Sequence, residues 1–363
     1  MTTRVIMQTV RLLADDLTGA LDTAAELAGR FGALDVVWDV DPARRIQASL
    51  AIDSGTRELV PENAATIVQA LAPTLRDATV AYKKIDSLLR GPWVTELAAC
   101  LRTGFWDACI VAPAFIHQGR QTRGGQQYAL MPDRSWSRVG ETIQDQLRRG
   151  GLDAHVADSA DDIRGGVTVF DAESESDLDR VVETGRRYQG RLLWCGSGGL
   201  ASALARGTDA VASRRLRRPV LGVFGSDHPA TRAQLALCRD VLASDGLDGL
   251  KRRMAEGAAF VLLRAPEGSA RAEAARRFSD EIARLSESID PPGTLIVAGG
   301  ETLRAQCVAV NAHALMVTGR LEPGVPRSVI HGGRWAGVDV ISKSGAFGPP
   351  DLWWKLLNDN GLI

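Results

Sequence analysis

The chain has 363 residues and sets 43 Lys plus Arg against 44 Asp plus Glu, a formal net charge of -1. Its length exceeds what one hydrophobic core organises, so two domains are expected, and the charge balance makes nucleic acid a poor partner. No apolar run reaches membrane-spanning length, Arg11, Asp15 and Asp16 break any secretory pattern, and Cys100, Cys109, Cys195, Cys238 and Cys307 show no C-x-x-C spacing, so the expectation is a cytoplasmic protein with buried thiols and no membrane partner.

Short β-rich apolar segments alternate with longer amphipathic stretches. This pattern predicts an α/β fold of two domains, each a largely parallel or mixed sheet flanked by helices, with the active site in the interdomain cleft. The run Ala14-Asp15-Asp16-Leu17-Thr18-Gly19 closes the first apolar segment, and a helix is predicted over Thr18 to Arg30, ending at Gly32. Asp16 then sits at a strand-to-helix junction, as a cap or as a ligand-facing carboxylate. Strands follow at Leu34 to Trp38 and Val80 to Tyr82, and the second of these runs into Lys83-Lys84-Ile85-Asp86-Ser87-Leu88-Leu89-Arg90-Gly91. Carboxylates, ammonium groups and a forked guanidinium at one strand end suit a small, anionic, hydroxylated substrate. Asp16 and Asp86 are the catalytic candidates, either able to take a hydroxyl proton. Asp15, Lys84, Ser87 and Arg90 are substrate-binding candidates. After a strand at Cys109 to Ala112, a glycine-containing loop carrying His117, Arg120, Thr122 and Tyr128 adds Arg120 to the substrate group.

Further strands are predicted at Val167 to Phe170 and Leu192 to Cys195, the second followed by the turn Gly196-Ser197-Gly198-Gly199-Leu200. From Ala201 to Arg218 the pattern weakens into small residues and the cluster Arg214, Arg215, Arg217 and Arg218, read as a solvated linker. The domain boundary is placed there, giving 1–212 and 213–363. Strands at Val220 to Phe224, Ala259 to Leu263, Leu295 to Ala298, Ala314 to Thr318 and Val338 to Ile341 complete the chain. Three glycine elements follow such strands: Gly225-Ser226, Gly299-Gly300-Glu301-Thr302, and Lys343-Ser344-Gly345-Ala346-Phe347-Gly348. Backbone amides at strand ends and helix starts suit phosphate oxygens, so Ser226, Gly299, Gly300, Glu301, Thr302, Lys343, Gly345 and Gly348 are nucleotide-binding candidates. Neither a P-loop nor a G-x-G-x-x-G is present. His117, His155, His228, His313 and His331 are too scattered for a metal cluster, so the metal ligands are unknown and Mg²⁺ is expected to arrive with nucleotide phosphates.

Taken in order, Ala14 to Ala20 with Asp22-Thr23, Lys83 to Ser87 with Arg90-Gly91, Pro113-Ala114-Phe115 with Gly119-Arg120, Gly299 to Thr302, Glu322-Pro323-Gly324-Val325-Pro326 and Lys343 to Gly348 resemble the four-carbon acid sugar kinase family over almost the whole chain. The resemblance implies an acid-sugar-binding N-terminal domain, an ATP-binding C-terminal domain, and phosphorylation of a hydroxyl of a threonate-, erythronate- or 2-oxo-tetronate-like acid, with ATP and Mg²⁺ as cofactors. Leu88, Ile116, Gln121, Leu303 and Ala346 depart from the family pattern, and the region after Tyr128 is short. A homodimer is left open. The rival classes are an acid-sugar aldolase or isomerase, which turns over without ATP, and a catalytically silent sensor, which binds without making phosphorylated product.

Overall fold

The computed structural model describes residues 8–41, 46–157, 163–208, 210–243, 246–264 and 271–363. The chain forms two compact units, Met1–Asp209 and Ala210–Ile363.

In the N-terminal unit eight strands pair in parallel, in the order β2 (Leu34–Val37), β3 (Leu50–Asp53), β1 (Val10–Ala14), β4 (Val80–Lys84), β11 (Leu192–Gly196), β5 (Ala108–Ala112), β10 (Gly166–Phe170) and β9 (Ala154–Ala157). Continuously buried strands such as Ala108–Ala112 read as unbroken apolar runs because helices cover both faces. Helix α1 (Leu17–Phe31) starts on the Asp16 cap and ends at Gly32, whose φ of 81° lets the chain turn away. The chain leaves β1 towards β2 but leaves β4 towards β5, on the other side. That reversal opens a crevice beyond the carboxyl ends of β1 and β4, where Ala14 pairs with Lys84 and with Asp53. A separate antiparallel sheet of β6 (Arg120–Arg123), β7 (Gln126–Leu130) and β8 (Trp136–Arg138) follows β5.

The second unit has the order β13 (Ala258–Leu262), β12 (Val220–Phe224), β14 (Thr294–Ala298), β17 (Asp339–Lys343), β16 (Val325–His331) and β15 (Ala314–Glu322). The first four are parallel and the last two add an antiparallel edge. Connections again leave β12 and β14 in opposite directions, giving a second switch point.

Several elements differ from the sequence expectation. The short β3 and the small antiparallel sheet were not expected. The segment read as linker begins with helix α6 (Gly198–Ala205), capped by Ser197, whose small side chains let it pack closely on α1. Its arginines are exposed or half-buried, as a solvated segment would be, but three of them are also anchored. Arg217 Nε lies 2.8 Å from Asp339, Arg214 pairs with Glu322, and Arg218 donates to the Asn360 and Gly361 carbonyls. All five cysteines are buried and free. Among the described residues no helix is long and apolar enough to cross a membrane.

Candidate functional site

The residues after β1, β3 and β4 build one charged cluster. Asp16 Oδ1 accepts the Gly19 amide at 2.9 Å and Oδ2 accepts the Thr18 hydroxyl at 2.7 Å. Arg57, in the loop after β3, clamps both neighbouring acids. Its Nε and Nη2 each lie 2.8 Å from Asp15 and its Nη1 lies 2.6 Å from Asp16. Burial opposes the charge on Arg57, but the Asp15 and Asp16 carboxylates outweigh it and raise the guanidinium pKa. Burial likewise pushes Asp15 up, and the Arg57 charge and hydrogen bond, helped by Lys83 and Lys84, bring it below the usual carboxylate range.

Successive side chains of β4 point to opposite faces. Lys83 is fully buried, pairs with Glu96 of α3 (Trp93–Leu101) at 2.6 Å and donates to the Lys84 carbonyl at 3.0 Å. Lys84, only 4 % exposed, points the other way, towards α1. Its ammonium makes no hydrogen bond or ion pair with a described residue. A Cβ added at Gly19 would fall 2.5 Å from Asp16 Oδ1, 3.0 Å from Lys84 Nζ and 3.6 Å from Arg57 Nη2. Glycine at position 19 is therefore what allows these groups to converge.

Past β4 the chain turns back through Leu89, a non-glycine residue at φ 56°. Asp86 takes Arg90 Nε at 2.6 Å, Nη2 at 2.8 Å and two backbone amides at 3.3 Å. Burial pushes the Asp86 carboxyl up, but the Arg90 hydrogen bond and the Arg57, Arg90 and Lys84 charges hold it well below its ordinary value. Asp86 and Arg90 thus occupy one another, although the Arg90 side chain remains 60 % exposed. Arg120, held by the Gln118 and Gly119 carbonyls at 2.7 and 2.9 Å, is close enough to feel the Asp86 and Arg90 charges. Gln127 of β7 donates to the Ser87 carbonyl at 2.8 Å and fixes that loop. Asp22, on the inner face of α1, is 8 % exposed, and burial pushes its carboxyl up to about 6 against the Lys84 charge.

The C-terminal candidates gather at the other switch point. A Cβ at Gly345 would collide with Ser226 Oγ, and one at Gly225 with Thr302 Oγ1, while one at Gly299 would sit 3.3 Å from Thr302 Oγ1 and 3.7 Å from Ser226 Cβ. The three loops after β12, β14 and β17 therefore form a tight cradle, with the Gly299 amide tying the β14 loop to β17 through the Lys343 carbonyl at 3.0 Å and Gly300 opening helix α10 (Gly300–Ala309), whose first-turn amides have no partner within the helix. Gln234 of α7 (Pro229–Ala236) braces the far end by donating to the Phe347, Gly348 and Pro349 carbonyls. Lys343 lies within β17 rather than in the loop. It is 1 % exposed, and its Nζ donates to Thr231 Oγ1 and to the Ser344 and Gly345 carbonyls at 3.0 to 3.3 Å. It supports the loop from below. Burial pushes its amine down to about 7. Glu301 is exposed on the first turn of α10.

Two residues, Arg57 and Gln127, were not singled out from sequence, and a third, Asp22, was named only within the family motif and given no role. Arg57 follows the brief strand Leu50–Asp53 through Gly55, a strand-end signal hidden by the strand's shortness. Asp22 stands on the apolar face of a predicted helix, a polar residue out of pattern. Gln127 carried no signal before the small sheet was known. A cavity of about 880 Å³ lies elsewhere in the N-terminal unit, lined by Val80 and Leu192 at the opposite strand ends. Among the described residues no three His, Cys, Asp or Glu side chains converge to hold a metal.

Residues 10–142 and 129–204 match a sugar-binding N-terminal domain model, and residues 251–352 match a nucleotide-binding C-terminal domain model. The chain is 30 % identical to a D-threonate kinase of Bordetella bronchiseptica, over 94 % of this chain and 95 % of that one. It is also 30 % identical to a D-threonate kinase of Cupriavidus necator, over 94 % and 96 %. A solved structure from Salmonella typhimurium has the same fold, with a TM-score of 0.72 at 20 % identity over 97 % of this chain and 99 % of that one. With both domain models matched in order and relatives aligned along nearly its whole length, the chain belongs to the four-carbon acid sugar kinase family.

Proposed function

We propose that the protein transfers the γ-phosphoryl group of ATP to a hydroxyl of a small sugar acid of the threonate type. The observation that carries the reading is Lys84, an ammonium almost wholly buried, without a hydrogen-bond partner among the described residues, at the switch point of a parallel sheet and ringed by Asp16, Arg57 and Gly19. A buried cation in that state is matched by an anionic ligand. Lys84 binds the carboxylate, helped by Arg90 Nη1, the end of the half-exposed guanidinium that Asp86 does not take. Asp16 and Asp86, fixed by Arg57 and Arg90, accept hydrogen bonds from the acid's hydroxyls, and Ser87 and Arg120 close the ring. The names of the relatives, D-threonate kinases, support the substrate class.

The glycine cradle of the C-terminal unit takes the triphosphate. Amides of Gly300 and Gly345 with the hydroxyls of Ser226 and Thr302 fit phosphate oxygens, Gly299 leaves the space for them to approach, and Mg²⁺, carried on those oxygens with its own waters, offsets their charge when bound. The cradle has no room for a side chain at Gly345. Gly345→Ala is therefore expected to raise the KM for ATP about tenfold or more, an overpacking penalty of about 1–3 kcal/mol, with sugar-acid binding by calorimetry unchanged. Unaltered ATP kinetics would place the triphosphate elsewhere.

The reading is tested by incubating the protein with Mg-ATP and D- and L-threonate, the erythronates and 2-oxo-tetronate, and weighing the products by mass spectrometry. A phosphorylated acid and stoichiometric ADP are expected. Conversion of an acid without ATP, or binding without product, overturns the reading.

A further inference from the structure

Of the carboxylates Asp15, Asp16, Asp22 and Asp86 around Arg57 and Lys84, three are held by guanidinium groups. Asp15 and Asp16 share Arg57, and Asp86 is bound by Arg90. Among the described residues Asp22 has no such partner. There its Oδ1 accepts only the hydroxyl of neighbouring Thr23, at 2.9 Å, and its Oδ2 accepts no hydrogen bond, although the residue is only 8 % exposed. The charged and titratable groups acting on it are Lys84 and Tyr82 from β4, Asp16 from the α1 cap and Arg57 from the loop after β3. Helix α6, packed on α1, carries no titratable side chain. Lys84, the unpartnered ammonium beside it, marks where a ligand is held.

We propose that Asp22 is the general base of the phosphoryl transfer, the group that takes the proton of the acceptor hydroxyl. This rests on the kinase reading above. A carboxylate clamped by arginine is a poor proton acceptor, because protonation breaks its ion pair, so Asp16 and Asp86 are suited to orienting the acid rather than to moving its proton. Asp22 keeps a free oxygen. Burial, opposed by Lys84 and the Thr23 hydroxyl, places its carboxyl near 6, close to the working pH at which a base is most effective. As the acceptor oxygen bonds to the γ-phosphorus, its O–H bond breaks and the proton passes to Asp22 Oδ2. The bond from the γ-phosphorus to the β,γ-bridging oxygen breaks, and ADP leaves with that electron pair. The proton returns to water when the product departs.

The test is the pH dependence of kcat, from about pH 5 to about pH 9, for the full-length wild type, Asp22→Asn and Asp22→Glu, with saturating Mg-ATP and the acid that the wild type phosphorylates. The sign follows from the base role: the wild-type kcat falls on the acid side, with a midpoint of about 6, as Asp22 becomes protonated. Asp22→Asn is expected to lower kcat by about 10²–10⁴-fold, to abolish the acid limb and to leave KM within a few-fold. Its melting temperature should not fall, because the amide removes a buried charge that lacks a hydrogen-bonding cation. Should the amide variant fail to fold, Asp22→Glu, which moves the carboxylate by one methylene, must shift the limb and lower kcat. A kcat near wild type with the limb intact, or a rise confined to KM, overturns the proposal and leaves Asp22 as a counter-ion of Lys84. A wild type that yields no phosphorylated acid overturns the kinase reading and this proposal together, whereas an active wild type with an indifferent Asp22→Asn overturns only the latter.

Discussion

Lys84→Met should weaken sugar-acid binding by about 100-fold or more, the loss that follows removal of one partner of a buried charge pair, while nucleotide affinity stays as it was. Methionine nearly matches the volume of the lysine stem, so packing between β4 and α1 is preserved and the variant removes mainly the charge. Without a ligand, that charge has no hydrogen-bonding partner among the described residues, so the variant should melt no lower than the wild type. A second effect distinguishes this account from a general disturbance. The Lys84 charge pulls the Asp22 carboxyl down, so its removal lets Asp22 hold its proton to higher pH, and any residual activity should show an acid limb displaced above about 6. Calorimetry with the sugar acid and with ATP, a thermal melt and a kcat profile check all four. An unchanged affinity for the acid would deny Lys84 its role, and a melting temperature that falls sharply would make it a structural residue.

The sequence made the strand ends and their chemistry legible because parallel strands are apolar on both faces and stop at polar or glycine residues. Asp16 and Lys84 were visible as the residues following β1 and completing β4, and Gly299 and Gly345 as turns after β14 and β17. What sequence could not settle was pairing. Asp86 and Arg90 were read as two ligands for a substrate, yet a left-handed turn at Leu89 folds one onto the other. Lys343 was read as a loop cation, but strand β17 runs two residues further than its apolar run and buries it beneath the loop. Arg57 was invisible for the opposite reason. Its strand has four residues, too few to show a period, and its role depends on sheet order, since β3 lies beside β1 only because the chain reverses there. The anchors of the exposed arginine cluster near residue 215 were invisible because its partners, Asp339, Glu322 and Asn360, lie more than a hundred residues away.

The largest stability effect is expected beneath the site, at Glu96. Lys83 and Glu96 are both fully buried and 2.6 Å apart, and the same ammonium donates to the Lys84 carbonyl, so the pair fixes the strand end from which Lys84 reaches the opposite face. Removing one member of a buried ion pair leaves the other charge desolvated and unmatched, which costs about 3–5 kcal/mol. Glu96→Gln should therefore lower the unfolding free energy of the N-terminal unit by about that amount, whereas Lys83→Met with Glu96→Leu, which removes both charges, should recover most of it. The pair also sets an alkaline limit. Burial lowers the Lys83 pKa, but the Glu96 and Asp15 charges outweigh it and raise it from 10.5 to about 12. The stability this contributes is complete below pH 10.5 and is lost as pH rises through about 12. Urea unfolding followed at neutral pH and above pH 10.5 would show that alkaline loss in the wild type and not in the double variant. In the double variant Lys84 keeps its charge but loses the bond that fixes its backbone, so a rise in KM for the acid at restored stability would separate positioning of the strand end from its folding, and a KM equal to that of wild type would show that β4 alone suffices to hold Lys84 in place.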